Sequence, residues 1–106
     1  MKKRVWIYCR VLSQTHLYLL KFQEKKLFSF AKREHMDIIG ITKEVGSAQT
    51  FQRYPITQLL PYIKTNRIDM ILVDNQKRLF SNDDLLYEFL LLCEYYHVRV
   101  IETKSS

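Results

Sequence analysis

Asp69-Met70-Ile71-Leu72-Val73-Asp74 is the stretch on which the fold turns. Four apolar residues in a row between two aspartates are too few for a helix, and they lack the polar alternation of a strand with one wet face. A strand covered on both faces reads this way, and it belongs in the middle of a parallel sheet. Residues 4–11, 37–42 and 98–103 are β-branched runs of similar length, so with residues 69–74 four strands are indicated. Between them lie helical spacings. Residues 81–97 repeat Leu85, Phe89, Leu92 and Tyr96 at steps of four, three and four, and either Ser81 or Asn82 can cap the first turn ahead of Asp83 and Asp84. Residues 15–35 set Leu17, Leu20, Leu27 and Ala31 on one side and Lys25, Lys26, Lys32 and Arg33 elsewhere, a helix with a basic outer face. Residues 55–65 carry Ile56, Leu59, Leu60 and Ile63 at helical positions, with Pro55 suited to the first turn and Pro61 predicting a kink or a break. Strands alternating with helices imply crossover connections and helices on both faces of the sheet.

At 106 residues, 47% hydrophobic and 13% aromatic, the chain has the material for one core, and residues 1–106 read as a single domain. Two glycines, two prolines and no repeat leave no sign of a linker. No apolar run reaches the roughly 20 residues of a membrane span, and the basic start leads into a strand rather than a signal peptide, so a soluble, cytoplasmic protein is expected. Cys9 and Cys93 lie on segments that read as buried, without zinc-site spacing, and read as core thiols. Seventeen Lys and Arg against eleven Asp and Glu give a net charge of +6, which favours an anionic partner, nucleic acid before membrane, over a merely solvated basic surface.

In such sheets ligands gather beyond the carboxyl ends of the strands. The predicted loops there, residues 10–13, 43–52 and 74–80, hold Arg10, Ser13, Ser47, Thr50, Lys77 and Arg78, with Arg53 just beyond, a set suited to phosphate. His16, His35 and His97 follow no triad order and are assigned to helix ends and surface.

The segment Ile7-Tyr8-Cys9-Arg10-Val11-Leu12-Ser13 resembles the opening strand of the serine recombinases, the resolvase and invertase family, written Y-x-R-V-S. Further likenesses follow in family order: Ile38-Ile39-Gly40, Arg53-Tyr54-Pro55 before a Leu-Leu helix, Asn66-Arg67-Ile68-Asp69 before the central strand, Lys77-Arg78-Leu79-Phe80-Ser81-Asn82 for D-R-L-S-R-N, and a final strand at His97-Val98-Arg99-Val100-Ile101. The resemblance implies an α/β, three-layer resolvase-like fold with a mostly parallel central sheet of four to five strands and helices on both faces. It implies DNA as partner and no cofactor or metal. In the family a serine oxygen displaces a DNA 3′ hydroxyl and leaves a 5′-phosphoserine link, while arginine forks stabilise the crowded phosphorane. By position Arg10, Arg53 and Arg78 match three of those arginines, and these with Lys77 are the expected DNA contacts.

The departures fall on the same motifs. With Arg10-Val11 in register the nucleophile position is Leu12, and Ser13 comes one place late; on a strand a slip of one residue turns a side chain to the other face. Lys77 stands for the family aspartate, Ser81 for its second arginine, and Lys43-Glu44-Val45-Gly46-Ser47 for a D-E-G-x-S-G loop. The expectation is therefore a recombinase-like domain impaired in strand cleavage, acting through self-association, association with a related recombinase or weak contact with DNA phosphates. The apolar residues all round the 81–97 helix, Leu86, Tyr87, Leu90, Leu91 and Tyr95, support a homo-oligomer. One alternative is a working catalytic domain with Ser13 as nucleophile; another is a binder of a small phosphorylated ligand, disfavoured because no Gly-rich phosphate loop is present. The family's DNA-reading module is expected to lie outside residues 1–106.

Overall fold

Alternation along the first strand, β1 (Arg4–Val11), sorts its side chains onto two faces, and the layers follow from that sorting. The computed structural model describes residues 2–103. After β1 come α1 (Leu17–Arg33), β2 (Asp37–Val45), α2 (Tyr54–Lys64), β3 (Met70–Val73), α3 (Asp83–Tyr95) and β4 (Arg99–Glu102), with single 3-10 turns at Gln14–His16 and Gln76–Arg78. The sheet order is β2-β1-β3-β4, and every neighbouring pair is parallel. Trp6 and Tyr8 join Ile71 and Val73 under α2 and α3, where Ile56, Leu59, Ile63 and Phe89 close the larger core. Val5, Ile7 and Cys9 join Met70 and Leu72 under α1, which contributes Leu27 and Ala31. This is the expected three-layer α/β arrangement, and β3 is buried throughout. Each fully buried Ile, Leu or Phe withdraws apolar area worth roughly 1.5–3 kcal/mol.

Several boundaries differ from the sequence expectation, each for a tertiary reason. β2 runs to Val45 instead of residue 42, because it pairs with the whole of β1, Val11 opposite Val45. Lys43 and Glu44 therefore lie in a strand and not in a loop. Pro61 neither breaks nor splits α2; the helix is continuous from Tyr54 to Lys64, and the Pro61 carbonyl accepts from the Thr65 N–H and hydroxyl. Its missing N–H falls in the last turn and on the exposed side, where the loss is tolerable. In α3 the buried stripe centres on Leu86, Phe89 and Cys93 instead of Leu85, Phe89, Leu92 and Tyr96, most of which pack at its flanks. Asn82 is the cap, its side chain accepting from the Leu85 N–H at 3.0 Å. Ser81 is not; its hydroxyl donates to the Ser47 carbonyl at 2.6 Å.

Gly40 has a specific role. A Cβ there would stand 2.4 Å from the Trp6 ring, which lies across it while the indole N–H donates to Thr42 Oγ1 at 2.7 Å. Both cysteines are free and buried, their thiols pushed up to about 12, by burial foremost. No helix among the described residues is long and apolar enough to cross a membrane.

Candidate functional site

Three strand ends bring three arginines together. Arg10 lies on the same face of β1 as Trp6 and Tyr8, and its side chain passes under the adjoining loops. Its Nε donates to the Arg78 carbonyl at 2.7 Å, Nη1 to Gly46 at 2.6 Å and Nη2 to Lys77 at 2.9 Å. The guanidinium thus ties the end of β1 to the loops after β2 and β3. Burial foremost, and then the charges of Arg53 and Arg78, hold its pKa below the usual arginine range, with Glu44 opposing them.

Arg53, the residue before α2, reaches back to the sheet. Nε and Nη2 grip the Glu44 carboxylate at 2.8 and 2.9 Å, Nη2 also approaches Tyr8 Oη and the Leu79 carbonyl, and Nη1 donates to the Thr50 carbonyl. Its guanidinium carbon stands 4.7 Å from the centre of the Phe80 ring. Burial opposes its charge, yet the Glu44 hydrogen bond and the neighbouring charges outweigh that, and its pKa is raised. The Tyr8 hydroxyl bonds Glu44 closely, and burial first, then this carboxylate, drive the phenol far above its ordinary value.

Arg78, in the turn after β3, pairs with Asp74 through Nε at 3.0 Å and, more loosely, Nη2 at 3.4 Å. It is more exposed than Arg10 or Arg53. Lys77 turns outward and pairs with Asp83 at 2.8 Å, on the first turn of α3. Ser81 holds the turn after β2 at Ser47 and Ala48, where Ala48 has a left-handed φ of 57°.

Arg10, Arg53 and Arg78 are thus gathered, and Ser13 has no hydrogen bond to any of them. Its hydroxyl lies 2.8 Å from Thr15 Oγ1 and 3.1 Å from His16 Nδ1, in a local cluster at the start of the 3-10 turn. Leu12 projects at the bend after β1 with 64% of its surface exposed. Glu44 and Tyr8 were not singled out from the sequence, although they organise the cluster. The available signal is the acid kept in Lys43-Glu44-Val45, at the end of what the structure shows to be β2.

The match to the family model for the resolvase N-terminal domain spans residues 5–106, nearly the whole chain. The chain belongs to the resolvase family. No curated protein matches it in sequence. Among solved structures, this resolvase-family domain is similar to the C-terminal catalytic domain of ISC1926 TnpA, an IS607-like serine recombinase, with TM-score 0.88 and 20% identity over 97% of this chain and 72% of the other. It is also similar to a resolvase family site-specific recombinase from Streptococcus pneumoniae, with TM-score 0.82 and 23% identity over 95% and 72%. The N-terminal catalytic domain of TP901-1 integrase gives TM-score 0.80 and 22% identity over 94% and 76%. At these identities the likeness is one of fold, and the roles of residues in this resolvase-family domain rest on its own geometry.

Proposed function

We propose that this is a serine-recombinase-like domain impaired in DNA strand cleavage, which acts by self-association and by weak contact with DNA phosphates. The observation that carries the reading is the occupancy of the arginine forks. Arg10 is spent on three backbone carbonyls and Arg53 on Glu44, Tyr8 and two carbonyls. A phosphorane would have to displace these acceptors, and breaking a buried pair such as Arg53–Glu44 costs about 3–5 kcal/mol. Leu12, at the nucleophile position by register, brings no oxygen. Lys77 is exposed and Arg78 half-buried, and their surface pairs with Asp83 and Asp74 are more accessible than Arg53–Glu44, which supports salt-sensitive contact with a DNA backbone. Tyr87, Leu91 and Tyr95, at steps of four on the exposed side of α3, support the association.

A second reading has one observation in its favour. Ser13 Oγ lies 3.1 Å from His16 Nδ1, within reach of a group that can take its proton. The two readings separate on a DNA substrate carrying a nick that traps any covalent intermediate. The impaired domain leaves no protein-DNA adduct. An adduct that disappears in Ser13→Ala overturns the first reading in favour of the second.

A further inference from the structure

The outward face of α1 is not accounted for by the fold or by the strand-end cluster. The helix carries five cations, Lys21, Lys25, Lys26, Lys32 and Arg33, against one carboxylate, Glu24, which is turned toward β2 and paired with Lys43. Lys21 and Lys25 are one turn apart, a like-charge spacing that destabilises an isolated helix. Between the cations stand rings: Phe22 is 72% and Tyr18 68% exposed. Phe22 is one turn from Tyr18, Lys25 and Lys26, so its ring is flanked along the helix by a second ring and by two ammonium groups.

This face is continuous with the strand ends. Phe22, Lys25, Lys26 and Ser29 line a shallow cleft of about 290 Å³. Phe22 and Lys26 also line a neighbouring cleft of about 150 Å³ that reaches Asp74 and Arg78. A track of cations with an exposed ring in it therefore runs from Arg78, where Asp74 is paired with it, across Lys26 and Phe22 to Lys25.

We propose that this track binds single-stranded nucleic acid, with a base stacked on Phe22 and phosphates held by Lys25, Lys26 and Arg78. The charge selects an anionic chain, and the interleaving selects among anionic partners. A duplex backbone would use the lysines and leave the rings without a base face. A helix lying in a membrane interface separates its apolar face from its cations, whereas here the two alternate and the apolar side of α1 is already buried against the sheet. The inference rests on the DNA-contact part of the function proposed above and adds the form of the nucleic acid and its place.

The test is binding of a labelled oligothymidylate, compared with a duplex of equal length and with phosphatidylserine-containing vesicles. The single strand is expected to bind tightest. Phe22→Leu, which keeps apolar bulk but removes the ring, should weaken it about tenfold, while Phe22→Trp retains it. A Lys25→Ala, Lys26→Ala double variant should lower the slope of log affinity against log salt by about 1.4, two phosphate contacts of a single strand. Phe22 is exposed, and an unchanged thermal melt confirms that the variants fold. Equal binding of duplex with no effect of Phe22→Leu overturns the proposal, as does preference for vesicles. So does a dimer that dissociates on Phe22→Leu without loss of oligonucleotide affinity. If Arg78→Ala abolishes DNA binding while the α1 variants do not, this inference fails and the preceding function stands; if no DNA of either form binds, this inference and the DNA-contact part of that function both fail, and only self-association is left.

Discussion

At the carboxylate of Glu44 a phenol and two nitrogens of one guanidinium converge, largely shielded from solvent. Its removal leaves Arg53 charged, buried and without a counter-ion. Glu44→Ala should lower stability by about 3–5 kcal/mol, measured by urea unfolding, with Glu44→Gln losing less because an amide oxygen still accepts. Arg53→Lys should also destabilise, since an ammonium cannot bridge both carboxylate oxygens and reach the Thr50 and Leu79 carbonyls from one planar fork. Pairing of this quality was invisible in the sequence because Glu44 and Arg53 are nine positions apart and meet only where β2 overruns its expected end. Arg10 and Arg78, by contrast, were legible as strand-end residues.

The helices share a mode of ending that the scarcity of glycine imposes. His35, Asn66 and His97 follow α1, α2 and α3 in left-handed conformations, with φ of 57°, 59° and 62°. In each case the next residue's N–H closes the turn: Met36 onto Ala31, Arg67 onto Tyr62 and Val98 onto Cys93, at 2.8–2.9 Å. This is the Schellman arrangement, where a side chain costs about 1 kcal/mol that glycine does not. His35→Gly and His97→Gly should therefore each raise the thermal midpoint by a few degrees, read by calorimetry. An unchanged or lowered midpoint would mean that the imidazoles contribute contacts of their own. The assignment of these histidines to helix ends was available from the sequence; the handedness of their backbone was not, since neither residue is a glycine.

At the scale of the molecule, burial leaves three acids protonated in the folded state among the described residues. Tyr8 is raised far above 10.0 and Cys9 and Cys93 from 9.0 to about 12, burial being the largest cause in each. Each folded pKa lies above its unfolded value, so the stabilisation is full below about pH 9 and falls as pH climbs toward 12. The thermal midpoint should decline between pH 9 and 11, and less steeply in Cys93→Ala. At the same scale, the exposed Tyr87, Leu91 and Tyr95 on α3 predict concentration-dependent association. Leu91→Glu should shift sedimentation toward the monomer; a native chain that sediments as a monomer at all concentrations would leave the function to nucleic-acid contact alone.

The sequence by itself determined the layers: the unbroken apolar run of β3, the β-branched runs of the other strands and the helical spacings between them are local patterns, while the stripe that α3 buries was set by its packing. It also determined that arginines stand at the strand ends. Only the tertiary structure decided what those arginines do. A guanidinium takes whichever acceptors the fold brings within 3 Å, and the extension of β2, which carries Glu44 beside Arg53 and Tyr8, depends on pairing with a strand more than thirty residues away. The direction of Ser13 was decided in the same way, by a bend and a 3-10 turn whose local bonds hold its hydroxyl with Thr15 and His16.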